Sequence, residues 1–176
     1  RDTIGGSWCG CPRKENDHPA EDFPMCSVCS SSRKPQWSQA ARLTAPDGAY
    51  DDQFGRAVAV DGNLAIIGAP FDDDLGADSG SAYVFRRSGG AWSQEARLAT
   101  SDSAAGQSFG HSVAVSADGA LIGAFGDDQF GTQSGAAYWF ESDGSQWTQA
   151  LKITDASPES AEYFGFSVAL SGARLL

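Results

Sequence analysis

The sequence predicts an all-β fold built from a repeated unit of four short strands. Its 176 residues carry one pattern at a spacing of 55 residues, as Trp37, Trp92 and Trp147 illustrate. Within each period, short apolar or alternating runs are separated by Asp-Gly, Ser-Gly or Gly-Gly turns. Apolar residues at helical spacing are not found. Four strands per period without a helix are typical of one blade of a β-propeller.

Four runs supply the strands of the first period. Residues 54–60 alternate apolar with small side chains, and 64–70 form an apolar run that ends at a proline. Residues 81–85 are aromatic and β-branched, whereas 92–98 alternate again. The same residue types recur 55 positions later, so 54–98 and 109–153 each predict a complete four-stranded blade.

Two incomplete pieces flank these blades. Residues 37–43 predict an orphan strand, equivalent to the last strand of a preceding blade, and 164–176 predict a partial blade. Two complete blades cannot close a ring, so we expect an incomplete propeller. Either the chain is part of a longer protein or another copy completes the broken blade. Because the chain begins at Arg1 without a signal-peptide pattern, we expect a processed product or a fragment.

Charge divides the chain into two regions. Residues 1–36 carry five basic and five acidic side chains and predict a short, irregular, Cys-rich N-terminal segment and linker. Residues 37–176, the repeat region, carry seven basic and 18 acidic side chains, which accounts for the net charge of -11. An acidic body argues against a nucleic-acid partner. No run approaches the roughly 18 apolar residues of a membrane span, so membrane insertion is not expected.

The repeat region resembles a known family. Its motifs are Trp-x-Gln-x-x-x-Leu, Asp-Gly, Phe-Gly-x-x-Val-Ala-Val and Ile-Ile-Gly-Ala-Pro, which follow one another in that order from residue 37. Together they resemble the FG-GAP repeat of integrin-type β-propellers and of many bacterial extracellular proteins. The resemblance implies four-stranded blades, with Phe-Gly opening the innermost strand and Gly-Ala-Pro closing the second.

The resemblance also implies a function. It indicates a secreted, extracellular or cell-surface protein that acts in cell adhesion or binds a protein or glycan ligand. It does not indicate an enzyme, and the chain has only two histidines, His18 and His111, and no nucleophile elbow or phosphate loop. One alternative is a structural subunit that assembles head to tail by blade completion into a ring or filament. Another is a calcium-dependent lectin or the accessory domain of a larger enzyme.

An acidic loop is the candidate metal site. Carboxylates on a turning loop are ligands that Ca²⁺ prefers. We therefore predict calcium binding by four aspartates: Asp72, Asp73, Asp74 and Asp78. The calcium loop of integrin-type repeats lies elsewhere, between the first two strands of a blade, where this chain has only tight turns at 61–63 and 116–119. The alternative is that these aspartates favour turns and keep the surface soluble.

The four cysteines, Cys9, Cys11, Cys26 and Cys29, have two readings. Their spacing would suit a zinc site, although Cys-x-Cys followed by Cys-x-x-Cys is a weak signal for one. Because the repeat region resembles extracellular proteins, we favour two disulfides, and bonds between subunits remain a further alternative.

Three aromatic residues are candidates for an exposed binding face. Most of the aromatic residues on the 55-residue period are expected to form the core of a blade. Trp139 replaces Val84 of the first period, and Tyr50 and Tyr163 lie near the Phe-Gly motifs. We therefore predict that these three side chains contact a ligand.

Overall fold

The computed structural model describes residues 39–171 and 174–175, which contain two four-stranded antiparallel sheets and no helix. Sheet 1 consists of β1 (Ala57–Asp61), β2 (Leu64–Ala69), β3 (Ser81–Ser88) and β4 (Ala91–Leu98). Sheet 2 consists of β5 (Ser112–Ser116), β6 (Gly119–Ala124), β7 (Ala136–Ser142) and β8 (Trp147–Ile153). In both sheets the strands pair in chain order. The predicted all-β fold with four strands per unit is confirmed.

The strand sequences explain the sheets. Strands β2 and β6 are apolar throughout and fully buried, as expected for the middle of a sheet covered on both faces. Strands β4 and β8 carry mostly exposed and half-buried side chains because they form the outer edges. Both β3 and β7 carry a register shift, between Val84 and Phe85 and between Trp139 and Phe140.

The two sheets pack face to face around one apolar cluster. Sheet 1 contributes Leu64, Ile66 and Val84, and sheet 2 contributes residues that include Ile122 and Tyr138. Strand β5 lies beside both β1 and β2. Because every one of these side chains is buried, this interface contributes a large part of the hydrophobic stabilisation of the fold.

Glycine is required where one repeat meets the next. A Cβ at Gly68 would collide with the carbonyl oxygen of Gly110, and a Cβ at Gly123 would collide with that of Gly165. The second contact repeats the first one 55 residues later in the chain. Gly110 and Gly165 also have positive φ values, +91° and +79°. The glycines of Gly-Ala and Phe-Gly therefore allow consecutive repeats to approach at backbone distance.

The two incomplete pieces that flank the predicted blades differ in structure. Strands β9 (Leu170–Ser171) and β10 (Arg174–Leu175) form a two-residue antiparallel ladder, which repeats the register of β1–β2 and β5–β6. The predicted strand over 37–43 is not formed in its described part, 39–43. An edge strand needs a ladder partner, and β4, its equivalent in sheet 1, finds one in β3. Leu43 instead packs on the outer face of sheet 1 with Phe54.

Two further predictions concern membranes and the N-terminal segment. In the portion of the chain that the structure describes, no helix is long and apolar enough to cross a membrane. The linker and the four cysteines, Cys9, Cys11, Cys26 and Cys29, lie outside the described residues, so the disulfide and zinc readings stay predictions.

Candidate functional site

The Phe-Gly end of the sheets is the end at which β1, β3, β5 and β7 begin. The predicted calcium residues lie here, in the loop between β2 and β3. Asp72 is buried, and its carboxylate accepts hydrogen bonds from Arg97 Nη2 at 2.7 Å and from the Tyr83 hydroxyl at 2.9 Å. Asp74 lies 3.0 Å from the same Arg97 nitrogen. One basic side chain of the protein therefore already pairs with two of the four predicted ligands.

The other two predicted ligands support the loop backbone. Asp73 Oδ1 accepts a hydrogen bond of 2.7 Å from the N–H of Asp78, and Asp78 has a φ of +51°. Asx hydrogen bonding and left-handed backbone are what aspartate contributes to turns. Within residues 39–171, no group of three or more His, Cys, Asp or Glu side chains is placed to hold a metal ion. Calcium binding stays a prediction, and the ion would compete with Arg97 for Asp72 and Asp74.

Sheet 2 repeats this buried network with different residues. Asp127 accepts hydrogen bonds from Lys152 Nζ and from the Tyr138 hydroxyl, each at 2.8 Å. Lys152 also reaches Asp102 at 2.7 Å. The two triads, Asp72–Tyr83–Arg97 and Asp127–Tyr138–Lys152, match position by position at 55 residues. Sequence reasoning missed both, although that shared spacing was a signal that could have found them.

The aspartates and tyrosines of both triads have fixed ionisation states at neutral pH. Burial alone would raise the pKa of Asp127, but the Lys152 ammonium, the Tyr138 hydroxyl and the N–H of Gln129 hold it below its ordinary value. Burial would also raise the pKa of Asp72, but hydrogen bonds from the backbone N–H of Asp74, the Arg97 guanidinium and the Tyr83 hydroxyl lower it. Burial and the neighbouring carboxylates raise the pKa values of both tyrosines, which therefore stay protonated as donors.

Four aromatic rings form a second feature at this end, next to sheet 2. The rings belong to His111, Phe125, Tyr163 and Phe166, here called the aromatic cluster. The His111 ring lies 4.6 Å from both Phe125 and Phe166, centroid to centroid, and Phe125 lies 6.1 Å from Tyr163. Phe166 is 56% exposed and Tyr163 is 41% exposed. Such a contiguous exposed aromatic surface is characteristic of contact with a partner.

The cluster occupies repeat positions, but its aromatic residues are not shared by every period. Where sheet 2 has His111 and Phe125, sheet 1 has Arg56 and Pro70. Tyr163 occupies a left-handed position with a φ of +55°, as do its equivalents Gln53 and Ser108. The fold thus provides the same backbone three times and an exposed aromatic ring at one of the three positions.

The three aromatic residues predicted for a binding face have different surroundings. Tyr163 belongs to the aromatic cluster, and Tyr50 is fully exposed. Trp139 is half-buried on the outward face of sheet 2, and its Nε1 donates a hydrogen bond to Glu141. Phe125 and Phe166 were not among the predicted binding residues, although each stands where the first period has a residue that is not aromatic, Pro70 and Arg56 respectively.

A third feature lies at the opposite end, where the turns of β1–β2, β5–β6 and β7–β8 meet. It is an open cleft of about 500 Å³, lined by residues that include Asp61, Asn63, Arg86 and Trp147. Arg86 forms an ion pair with Glu95, and Trp147 Nε1 of sheet 2 donates a 2.8 Å hydrogen bond to the same Glu95 of sheet 1. The Arg86 side chain is 41% exposed.

Comparison with protein families assigns the chain. The model of the FG-GAP repeat matches residues 37–85 and 92–140, which together make up more than half of the sequence. The chain belongs to the FG-GAP repeat family. The second FG-GAP match begins in β4 of sheet 1 and ends in β7 of sheet 2, so the sequence unit is offset from the sheet by one strand. No curated protein matches the chain.

Proposed function

We propose that this FG-GAP protein is a non-catalytic, extracellular or cell-surface β-propeller module that acts in adhesion by binding a protein ligand. The single observation that carries the proposal is the aromatic cluster. Tyrosine and phenylalanine supply large apolar contact area at little conformational cost, and they are enriched at the centres of protein interfaces. The rings of the cluster differ from their equivalents in the first period, Arg56 and Pro70, so the repeat fold does not require aromatic side chains at these positions.

The buried ionisable groups support a non-catalytic function. Asp72 and Asp127 are each engaged by a cation and a tyrosine hydroxyl. A general base needs a free lone pair within reach of substrate and a pKa near the working pH. Both carboxylates instead have lowered pKa values and occupied oxygens.

The test is binding of the labelled full chain to the surface of cells from its source organism. Phe166→Ser removes an exposed ring of the cluster, and we expect it to weaken binding about tenfold or more. Phe130→Ser is the matched control, because Phe130 is comparably exposed (49%) but lies outside the cluster. Equal binding by the wild type and both variants would overturn the proposal.

A second candidate function is head-to-tail assembly of copies of this chain. The observation that favours it lies on the outward face of sheet 2. This face has an apolar hollow of about 290 Å³, lined by residues that include Leu121, Ile153, Phe164 and Val168. The equivalents of Leu121 and Ile153 in sheet 1 are Ile66 and Leu98, which sheet 2 covers. A hollow at repeat positions suits a further sheet, and a second copy of this chain would offer one.

Sedimentation velocity at increasing protein concentration tests this candidate. We expect the wild type to assemble and Val168→Asp to stay monomeric. Val58→Asp is the control, since Val58 is the same repeat position in sheet 1 and is exposed. A wild type that sediments as a monomer at all concentrations would rule out assembly while leaving the adhesion proposal intact.

A further inference from the structure

We propose that the cleft between the two sheets, lined by Asp61, Asn63, Arg86 and Trp147, is a binding site for a neutral saccharide. The cleft lies at the end opposite the aromatic cluster, so it is a site separate from the proposed protein-binding surface. It is formed by turns of two complete sheets. Its volume of about 500 Å³ falls within the range of small-molecule sites.

The wall of the cleft is preorganised. Glu95 of sheet 1 bridges the two sheets. Its carboxylate accepts hydrogen bonds from the guanidinium of Arg86, also in sheet 1, and from the indole N–H of Trp147 in sheet 2. The Arg86 ion pair is the largest cause of the lowered pKa of Glu95, so the bridge is charged at neutral pH. Side chains held in place before binding lose little conformational entropy when a ligand arrives.

The side chains of the cleft match the surface of a sugar. With its N–H already bound to Glu95, Trp147 offers the cleft apolar ring surface, which suits the C–H face of a pyranose. Asp61 accepts hydrogen bonds, and Asn63 both donates and accepts them, as hydroxyl groups require. Arg86 has five N–H donors, of which two contact Glu95, so donors remain for a ligand.

The charges around the cleft disfavour an anionic ligand. The charge of Arg86 is balanced by Glu95, and Asp61 together with the protein's net charge of -11 repels anions. The polar lining does not suit an apolar ligand. The residues that make the cleft polar are not repeated, since Ser116, Asp118 and Glu141 stand in sheet 2 where Asp61, Asn63 and Arg86 stand in sheet 1.

The experiment titrates the full chain with neutral disaccharides and trisaccharides of hexoses and N-acetylhexosamines. Binding is followed by tryptophan fluorescence and by amide chemical shifts. The double variant Asp61→Ala/Asn63→Ala changes two exposed turn residues, and we expect it to lose about tenfold or more in affinity. The control is Asp155→Ala/Ser157→Ala, which changes two exposed residues of the loop after β8, at the opposite end of sheet 2, and should bind like the wild type. Thermal denaturation confirms that both variants are folded.

Three outcomes would overturn the proposal. The first is that no neutral saccharide binds, or that only acidic ones do. The second is that both double variants lose affinity equally. The third is that Tyr163→Ser/Phe166→Ser abolishes saccharide binding while Asp61→Ala/Asn63→Ala does not, which would place the sugar at the aromatic cluster. Failure of the saccharide proposal leaves cell-surface binding through Phe166 untouched, so the two proposals fail separately.

Discussion

In both sheets a buried aspartate, a tyrosine and a basic residue meet at the Phe-Gly end. Around this shared triad the surfaces differ. Beside sheet 2 lies the aromatic cluster, and at the matching positions sheet 1 has residues such as Arg56 and Pro70. At the other end sheet 1 contributes Arg86 to the cleft, where sheet 2 has Glu141. The repeated positions hold the fold, and we propose that positions which differ between the sheets carry binding.

The largest effect is expected where one repeat touches the next. Gly110→Ala adds a Cβ that meets the Ser81 carbonyl at a residue with a φ of +91°. We expect a loss of about 3–5 kcal/mol in the free energy of unfolding, measured by denaturant titration. Gly62→Ala is the control, because Gly62 also has positive φ but no atom within 4 Å of its Cβ position. A loss of about 1 kcal/mol is expected there. Equal losses would contradict the close-approach explanation.

The triads should matter equally in the two sheets. Asp127→Ala removes a buried acceptor of both the Lys152 ammonium and the Tyr138 hydroxyl. Because Lys152 is partly exposed and keeps Asp102 and Gln129 as partners, we expect the free energy of unfolding to fall by about 2 kcal/mol. Asp72→Ala should cost a similar amount. Asp128→Ala, which removes only an exposed loop hydrogen bond to Gln133, should cost less than about 1 kcal/mol. A larger loss of unfolding free energy for Asp128→Ala than for Asp127→Ala would contradict the stabilising role of the triads.

Acid should destabilise both triads. The folded pKa of Asp127 lies below its ordinary value of 3.8, so its contribution is complete above about pH 4 and is lost as the pH falls through the folded pKa. Thermal denaturation between pH 7 and pH 2 should show this loss in the wild type. The loss should shrink in Asp127→Asn, since an amide does not titrate. An identical pH profile for both proteins would contradict the assignment.

A smaller pH effect is expected at the aromatic cluster. Burial, with help from Arg56, lowers the pKa of His111 below 6.5, although its hydrogen bond to the Phe166 carbonyl opposes the shift. Because the pKa of His111 is lower in the folded state, its packing stabilises the fold at pH values above the pKa of the unfolded state. This stabilisation is lost as the pH falls through the pKa of the folded state. An NMR titration should give a His111 pKa below 6.5. A value above 6.5 would contradict the packing of this ring.

The smallest effect concerns calcium. Because Arg97 already occupies Asp72 and Asp74, we expect calcium to change the denaturation midpoint of the wild type little. Arg97→Met frees those carboxylates and should make the midpoint respond to calcium. Lys152→Met should respond less, since Gln129 and Gln133 replace Asp74 and Asp78 in sheet 2. Strong stabilisation of the wild type by calcium would instead support the four-aspartate site.

The period and the turn residues were enough to predict the two sheets, because alternation and Gly-containing turns are local signals. The strand predicted at 37–43 is not formed over its described residues, 39–43, because a strand forms only where a ladder partner exists. The role of Arg97 and Lys152 depends on residues 25 positions away, so spacing alone could suggest the triads but not their contacts. The aromatic cluster joins residues from consecutive repeats, as the contact of His111 with Phe166 shows, and only Tyr163 was singled out beforehand.

The most direct test measures stability and binding together in two variants. We predict that Phe166→Ser keeps the thermal midpoint of the wild type and loses cell-surface binding. Asp127→Ala should lower the midpoint and, at a temperature where it is still folded, bind like the wild type. The account would be contradicted if Phe166→Ser lost stability and kept binding, or if folded Asp127→Ala failed to bind.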